Sequence, residues 1–180
     1  STASSPFTNI GFKAISIGDK MSITAGGFND NLDGFQDVEG GFYFFENDKW
    51  TNHNVYSTIG FDEESQDLNY QAYNLVNNKL YIAMLKGLIE YDFSNVKIYN
   101  PSNSPLEEYT GIPDLCYTTG VQADIDGNVW MLNPNTTTGL KVLTLDGNWH
   151  TYVTGYDNAK LNNLFIDSHG QKWFTLKGQG

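Results

Sequence analysis

The 180-residue chain contains no arginine: all ten of its cations are lysines, against 21 Asp and Glu, for a formal net charge of −11. Proteins that read base edges rely on Arg forks and a basic face, so the composition argues against nucleic acid as a partner. The same lack removes the bidentate clamp that many enzymes use on a carboxylate or phosphate. Cysteine is nearly missing too. Cys116 stands alone, so no disulfide can close within these residues, which fits either a reduced compartment or a secreted protein built without disulfides. No apolar run approaches the ~18 residues of a membrane helix. The opening Ser1-Thr2-Ala3-Ser4-Ser5-Pro6 has no signal-peptide pattern. Long stretches of 3.6-residue periodicity are absent as well.

What is abundant is aromatic side chains, with 11 Tyr, 11 Phe and 4 Trp, and glycine, with 18. Apolar residues make up 39% and charged residues only 17%, a balance that permits a packed core in one domain. Short runs rich in aromatic and β-branched residues alternate with Gly, Asn and Asp, the pattern of strands and turns. Strands are predicted at 12–17, 21–25, 41–46, 50–54, 70–76, 79–84, 88–93, 96–99, 120–124, 128–132, 140–144, 149–153, 163–166 and 172–176. Gly18-Asp19, Asn77-Asn78, Asp126-Gly127, Asp146-Gly147 and Ser168-His169-Gly170 supply turn chemistry between them. The fold class is all-β.

Grouped in fours, the strands repeat. Third strands open at Gly41, Gly87 and Gly139; second strands carry Tyr81, Trp130 and Trp173; fourth strands carry Trp50, Tyr99 and Trp149. Four antiparallel strands recurring about every 45–50 residues mark β-propeller blades. The units fall at 7–55, 68–100 and 117–154, and a half unit at 161–180 breaks off at Gly178-Gln179-Gly180. Three and a half blades fall short of the four or more that close a ring, so residues 1–180 read as one piece of a larger propeller. Its open faces, or the 172–176 edge, are then expected to recruit a partner, a second copy included.

The units Asp124-Ile-Asp-Gly-Asn-Val-Trp130 and Asp167-Ser-His-Gly-Gln-Lys-Trp173 resemble the repeat of two-component-regulator propellers, which form extracytoplasmic sensor halves of bacterial hybrid kinases. The ordered set Gly-Gly-Phe-Tyr-Phe-Phe-Glu-Asn-Asp-Lys-Trp-Thr-Asn (40–52), Gly-Leu-Ile-Glu-Tyr (87–91), Tyr-Asn-Pro-Ser-Asn-Ser-Pro-Leu (99–106), Val-Trp-Met-Leu-Asn (129–133), Gly-Leu-Lys-Val-Leu (139–143) and Asp-Gly-Asn-Trp (146–149) is similar to PorZ-type surface proteins of the type IX secretion system. The resemblance runs over nearly the whole chain. It implies a non-catalytic module at the periplasm or outer-membrane surface, binding polysaccharide and working with secretion proteins. The sensor resemblance implies oligosaccharide recognition and signalling partners. Neither carries a binding residue over, so no catalytic, cofactor or metal residue is assigned and the ligand-binding residues stay unknown.

The candidate chemistry is weighed residue by residue. Asp124-Ile125-Asp126-Gly127-Asn128 opens like a calcium loop, but Val129-Trp130-Met131-Leu132 continues as strand where a bidentate Glu would be needed, so a hairpin turn is expected. The 167–173 segment is similar to a sialidase Asp-box, a structural turn; without Arg, sialidase activity is not expected. His53 and His150 are read as matching outer-strand positions of different blades and His169 as a turn residue, all at the surface, so a shared triad or metal site is not expected. Asn135-Thr136-Thr137 and Ser102-Asn103-Ser104-Pro105 are read as loops. Asp62-Glu63-Glu64 with Asp67, and Glu107-Glu108 with Asp114, are read as solvated acidic clusters. Tyr81, Trp130 and Trp173 are expected between blades.

Overall fold

The computed structural model describes residues 4–29, 35–61 and 65–178. Every predicted strand run forms a strand, and no end shifts by more than two residues. The first sheet holds β1 (Gly11–Ile17), β2 (Lys20–Ala25), β3 (Phe42–Glu46) and β4 (Lys49–His53). The second holds β5 (Gln71–Asn74), β6 (Lys79–Met84), β7 (Gly87–Tyr91) and β8 (Val96–Tyr99). The third holds β9 (Thr119–Ala123), β10 (Val129–Leu132), β11 (Leu140–Leu143) and β12 (Trp149–Tyr152). After a 3-10 turn at Asn158–Lys160, β13 (Leu161–Ile166) and β14 (Lys172–Leu176) pair as a hairpin. Among the described residues the sheets are therefore three up-and-down antiparallel meanders and one two-stranded ribbon, the architecture of a partial β-propeller. The predicted 70–76 strand stops at Asn74, and Leu75 and Val76 stand exposed in its turn. The 88–93 strand stops at Tyr91, because Phe93 turns the chain with a φ of 70°.

The three glycines at the starts of the third strands all sit where a side chain would collide. An added Cβ at Gly41 would lie 2.0 Å from the His53 carbonyl oxygen, and one at Gly87 the same distance from that of Tyr99. Gly139 is as tight, against Leu161 Cδ1 at 2.4 Å. At Gly41 and Gly87 the close approach is thus of backbone at the end of the fourth strand, whereas at Gly139 it is of the Leu161 and Asn158 side chains.

Strand register corrects two sequence equivalences. Trp50 faces Phe45 and Trp149 faces Leu143 near the start of their fourth strands, whereas Tyr99 faces Leu88 at the far end of its own. Tyr99 therefore matches His53, opposite Phe42, rather than the two tryptophans. His150 faces Val142, two positions away from the place His53 holds.

Each sheet buries one face against the next. Phe42, Phe44, Leu80, Ile82 and Ile89 fill the layer between the first and second sheets. Tyr81, Leu88, Tyr99, Val121, Met131 and Leu143 fill that between the second and third. Leu132, Leu161 and Leu164, with Phe174 and Trp130, join the third sheet to the ribbon. Removing such a side chain from water stabilises the fold by about 1.5–3 kcal/mol. Tyr81 thus sits between sheets as expected, 3% exposed, and Trp130 is half-buried beneath Lys172, whose Nζ lies 3.9 Å from the ring centre. Trp173 departs from the expectation at 59% exposed, since no further sheet covers its face among the described residues. On the opposite side of the first sheet, residues 4–10 form a strap. Phe7 N–H donates to Asn52 Oδ1 (2.8 Å), Asn52 Nδ2 to the Ser5 carbonyl (3.3 Å) and Thr8 N–H to the Tyr43 hydroxyl oxygen (3.1 Å).

His53 is a second correction, for it is not a surface histidine. Its ring stacks on Phe42 at 4.8 Å and lies against Phe44 and Tyr91. Burial, helped by the charge of Lys20, lowers its pKa from 6.5 to about 4. The unfolded chain takes up this proton first, so the stability gained from a neutral His53 is complete above pH 6.5 and lost as pH falls through about 4. The urea midpoint is therefore expected to drop between pH 7 and 4.5, and His53→Phe, which keeps the stack but cannot titrate, should flatten that part of the curve.

Candidate functional site

The first strands β1, β5, β9 and β13 touch one another in succession, and the connections at one end of them carry a cluster of aromatic rings. Phe12 of β1 meets Phe28 at 5.6 Å and Tyr70 at 5.5 Å, edge to face. Phe28 and Phe35, from the 26–41 connection, bridge to each other through the backbone and both pack on Tyr117, at 5.5 and 5.1 Å. Gly27 permits this arrangement, because a Cβ there would enter the Phe12 ring at 2.5 Å. Beside the cluster opens a cavity of about 190 Å³, walled by Phe28, Phe35, Tyr109, Tyr117, Leu161 and Asn162, with Lys177 at its rim. The Tyr70 hydroxyl donates to Asn162 Oδ1 (3.3 Å). Burial pushes the phenols of Tyr70 and Tyr117 above their ordinary value, so both remain neutral.

Two carboxylates that read as solvated charge hold the walls of this cavity. Asp67 is fully buried and accepts the N–H groups of Gln36 (3.1 Å), Asp37 (2.9 Å) and Val38 (3.2 Å), which pins the connection just after Phe35. Burial outweighs those three donors and leaves its pKa raised. Gln36 Nε2 in turn donates to the Gly26 and Phe28 carbonyls, at 2.9 and 2.8 Å. Glu107 anchors the second wall. Its carboxylate accepts from Lys141 Nζ (2.7 Å), the N–H groups of Thr137 (3.0 Å) and Thr138 (3.2 Å), and the Thr138 hydroxyl. Partial burial would raise the Glu107 pKa, but the bonds from Lys141 and Thr138 and the Lys141 charge bring it down to about 2. Asn133 completes the anchor by donating to the Glu107 and Tyr117 carbonyls (3.2 and 2.8 Å). Glu108 and Asp114 are exposed as expected, and Asp62-Glu63-Glu64 and Gln179-Gly180 lie outside the described residues.

The remaining sequence candidates lie apart from the cavity. Asp124 takes the N–H groups of Asp126 and Asn128 (3.1 and 2.8 Å) together with Asn128 Nδ2 (3.0 Å) and Trp130 Nε1 (2.7 Å). Asp167 repeats the pattern with His169, Gln171 and Trp173 Nε1, each at 2.9 Å. Both carboxylates are spent on closing a hairpin, as the turn reading requires. Only the glycine of Asp126-Gly127 takes a positive φ, at 82°. Asn135 sits in a loop, with Nδ2 donating to the Thr110 carbonyl (3.1 Å). Cys116 is buried, which pushes its thiol up to about 12. Among the described residues no group of three or more His, Cys, Asp or Glu is placed to hold a metal ion, and no helix is long and apolar enough to cross a membrane.

None of Phe28, Phe35, Tyr109, Tyr117 or Asn162 stands out in the sequence. The available signal is length: the 26–41 and 100–118 connections exceed the few residues that join most strands, and long connections tend to carry function.

No protein-family model matches the chain, and no curated protein matches it. Solved structures do. PorZ, a surface component of the type IX secretion system of Porphyromonas gingivalis, aligns over 97% of this chain and 24% of its own, with a TM-score of 0.80 and 18% identity. An inactive His-to-Ala variant of virginiamycin B lyase from Staphylococcus aureus, bound to quinupristin, aligns over 95% and 51%, with a TM-score of 0.67 and 14% identity. An extracellular domain assigned to a one-component system of Bacteroides thetaiotaomicron aligns over 93% and 20%, with a TM-score of 0.59 and 12% identity. The chain thus has the propeller fold of these proteins and spans about a quarter of the PorZ chain and half of the lyase.

Proposed function

We propose that this chain is one sector of a larger extracytoplasmic propeller, a module that binds a glycan or a protein partner and performs no chemistry of its own. The observation that carries the reading is the aromatic cavity assembled from the first sheet, the 100–118 connection and the β13–β14 ribbon. Rings from separate blades converge there on a space lined by one amide and one lysine, a surface made for contact rather than proton transfer. The fold likeness to a secretion surface component and to an extracellular sensor domain supports an extracytoplasmic setting. A lyase reading is weaker. The lyase variant is inactive for want of a histidine, while here His53 is locked between sheets, His150 is on an outer strand and His169 in a turn, none of them at the cavity. Partners on this reading are polysaccharide and secretion or signalling proteins, with a second copy on the β14 edge as a further candidate and nucleic acid disfavoured by the charge. The second reading, favoured by the sensor likeness, is an oligosaccharide sensor. An oligosaccharide array probed with this chain is expected to retain it on a restricted set of glycans. A blank array, or consumption of a streptogramin by the chain, would overturn the reading.

A further inference from the structure

We propose that the cavity beside Phe28, Phe35, Tyr109 and Tyr117 takes a single uncharged pyranose ring. The assignment rests on the glycan-binding reading and narrows it to one site and one ligand chemistry. Size comes first. An apolar cavity of about 150 Å³ holds benzene, so the ~190 Å³ here admits one six-membered ring and little more. Chemistry then selects which ring. The walls are aromatic and aliphatic, but they include the Asn162 side chain, whose Oδ1 accepts from the Tyr70 hydroxyl and whose amide group brings N–H donors to the lining. A sugar hydroxyl can accept from that amide, a bond that a wholly apolar ring cannot offer. A pyranose presents C–H faces to Phe28, Phe35 and Tyr109 and hydroxyls at its edge to Asn162.

Charge completes the selection. Among the described residues the lining has no carboxylate to hold a cation, and its one lysine at the rim would repel one. An acidic sugar would meet Lys177 alone, in a chain of net charge −11 that has no arginine to grip a carboxylate in two places. The neutral ring is what remains. The two anchors fit the same picture: Asp67 and Glu107 fix the walls from behind, so the cavity is formed before the ligand arrives.

Titration calorimetry and saturation-transfer NMR with methyl β-D-glucopyranoside, methyl β-D-galactopyranoside, methyl α-D-mannopyranoside and N-acetylglucosamine test this, with sodium glucuronate and indole as contrasts. At least one neutral glycoside is expected to bind at millimolar concentration. Tyr109→Ala and Asn162→Ala should each weaken it about tenfold or more, with far-UV circular dichroism unchanged. Lys49→Ala, exposed on β4 and away from the cavity, should bind it like the parent, and Asn162→Asp, which keeps the side chain's size but removes its N–H donors, should weaken it as Asn162→Ala does even if a truncated wall variant fails to fold. Binding of indole or glucuronate in preference to every glycoside overturns the proposal, and so does glycoside binding that all three wall variants retain. A positive oligosaccharide array combined with unaffected wall variants removes this site while leaving the broader reading intact. No binding in either experiment removes both.

Discussion

Gly87→Ala is expected to destabilise the protein by about 4 kcal/mol or more. The residue holds a φ of 133°, which L side chains rarely adopt, and its Cβ would lie 2.0 Å from the Tyr99 carbonyl oxygen. Backbone strain of that kind costs about 1–3 kcal/mol by itself, and the contact adds the displacement of β8, whose Tyr99 is packed in the layer against the third sheet. Domains retain only about 5–15 kcal/mol in total, so the variant should melt roughly 8–16 °C lower. Gly147→Ala is the control: its φ of 88° is also unusual, but nothing lies within 4 Å of the new atom, so strain alone, about 1 kcal/mol, is expected. Equal urea midpoints for the two variants would show that close approach at the third strand does not hold the blade.

Glu107→Ala is the second large effect. Lys141 has no exposed side-chain surface, and among the described residues Glu107 is its carboxylate partner, 2.7 Å away. Removing one member of a buried pair typically costs about 3–5 kcal/mol, because the other charge stays behind without compensation. Glu107 itself is one-third exposed, so water can reach part of the site and the lower end of that range is expected. The double variant Glu107→Ala with Lys141→Met should recover most of the loss, since it removes the stranded ammonium as well as the carboxylate. A double variant no more stable than the single would show that the carboxylate acts through Thr137 and Thr138 instead. The pH dependence has a definite sign. The folded Glu107 pKa is about 2 against 4.5 for an ordinary glutamate, so its contribution is complete above pH 4.5 and disappears as pH falls toward 2. Chemical denaturation along that interval should show the slope in the parent and not in Glu107→Gln.

The fold was open to reading because its signals are local. Alternating aromatic and β-branched runs, Asp-x-x-Gly turns and the recurring Gly41, Gly87 and Gly139 each belong to a few adjacent residues, and together they specify every strand. Errors arose where a local rule met a turn: Leu75, Val76 and Phe93 have strand-forming side chains, but the chain reverses at them. The candidate site was almost invisible, because its walls come from connections with no periodicity and its members are far apart in the chain. Asp67 and Glu107 illustrate the difficulty. A carboxylate in an acidic run reads as solvated, and only the folded backbone reveals three N–H groups aimed at one and a buried ammonium at the other. His53 was misplaced for the same reason, since its stacking partner Phe42 is supplied by the neighbouring strand.

The way the sheets stack gives the molecule a polarity. Each offers its successor a surface unlike the one it receives, so assembly by this route is head to tail, and such contacts either close into rings or run on into fibres. Among the described residues the exposed Trp173 surface lies at one end of this stack. The opposite end, around Ile23, Tyr43 and Trp50, is overlain by Pro6, Thr8 and Asn9. Among the described residues one end of the stack is therefore covered by residues 4–10, and the other, at Trp173, lies exposed.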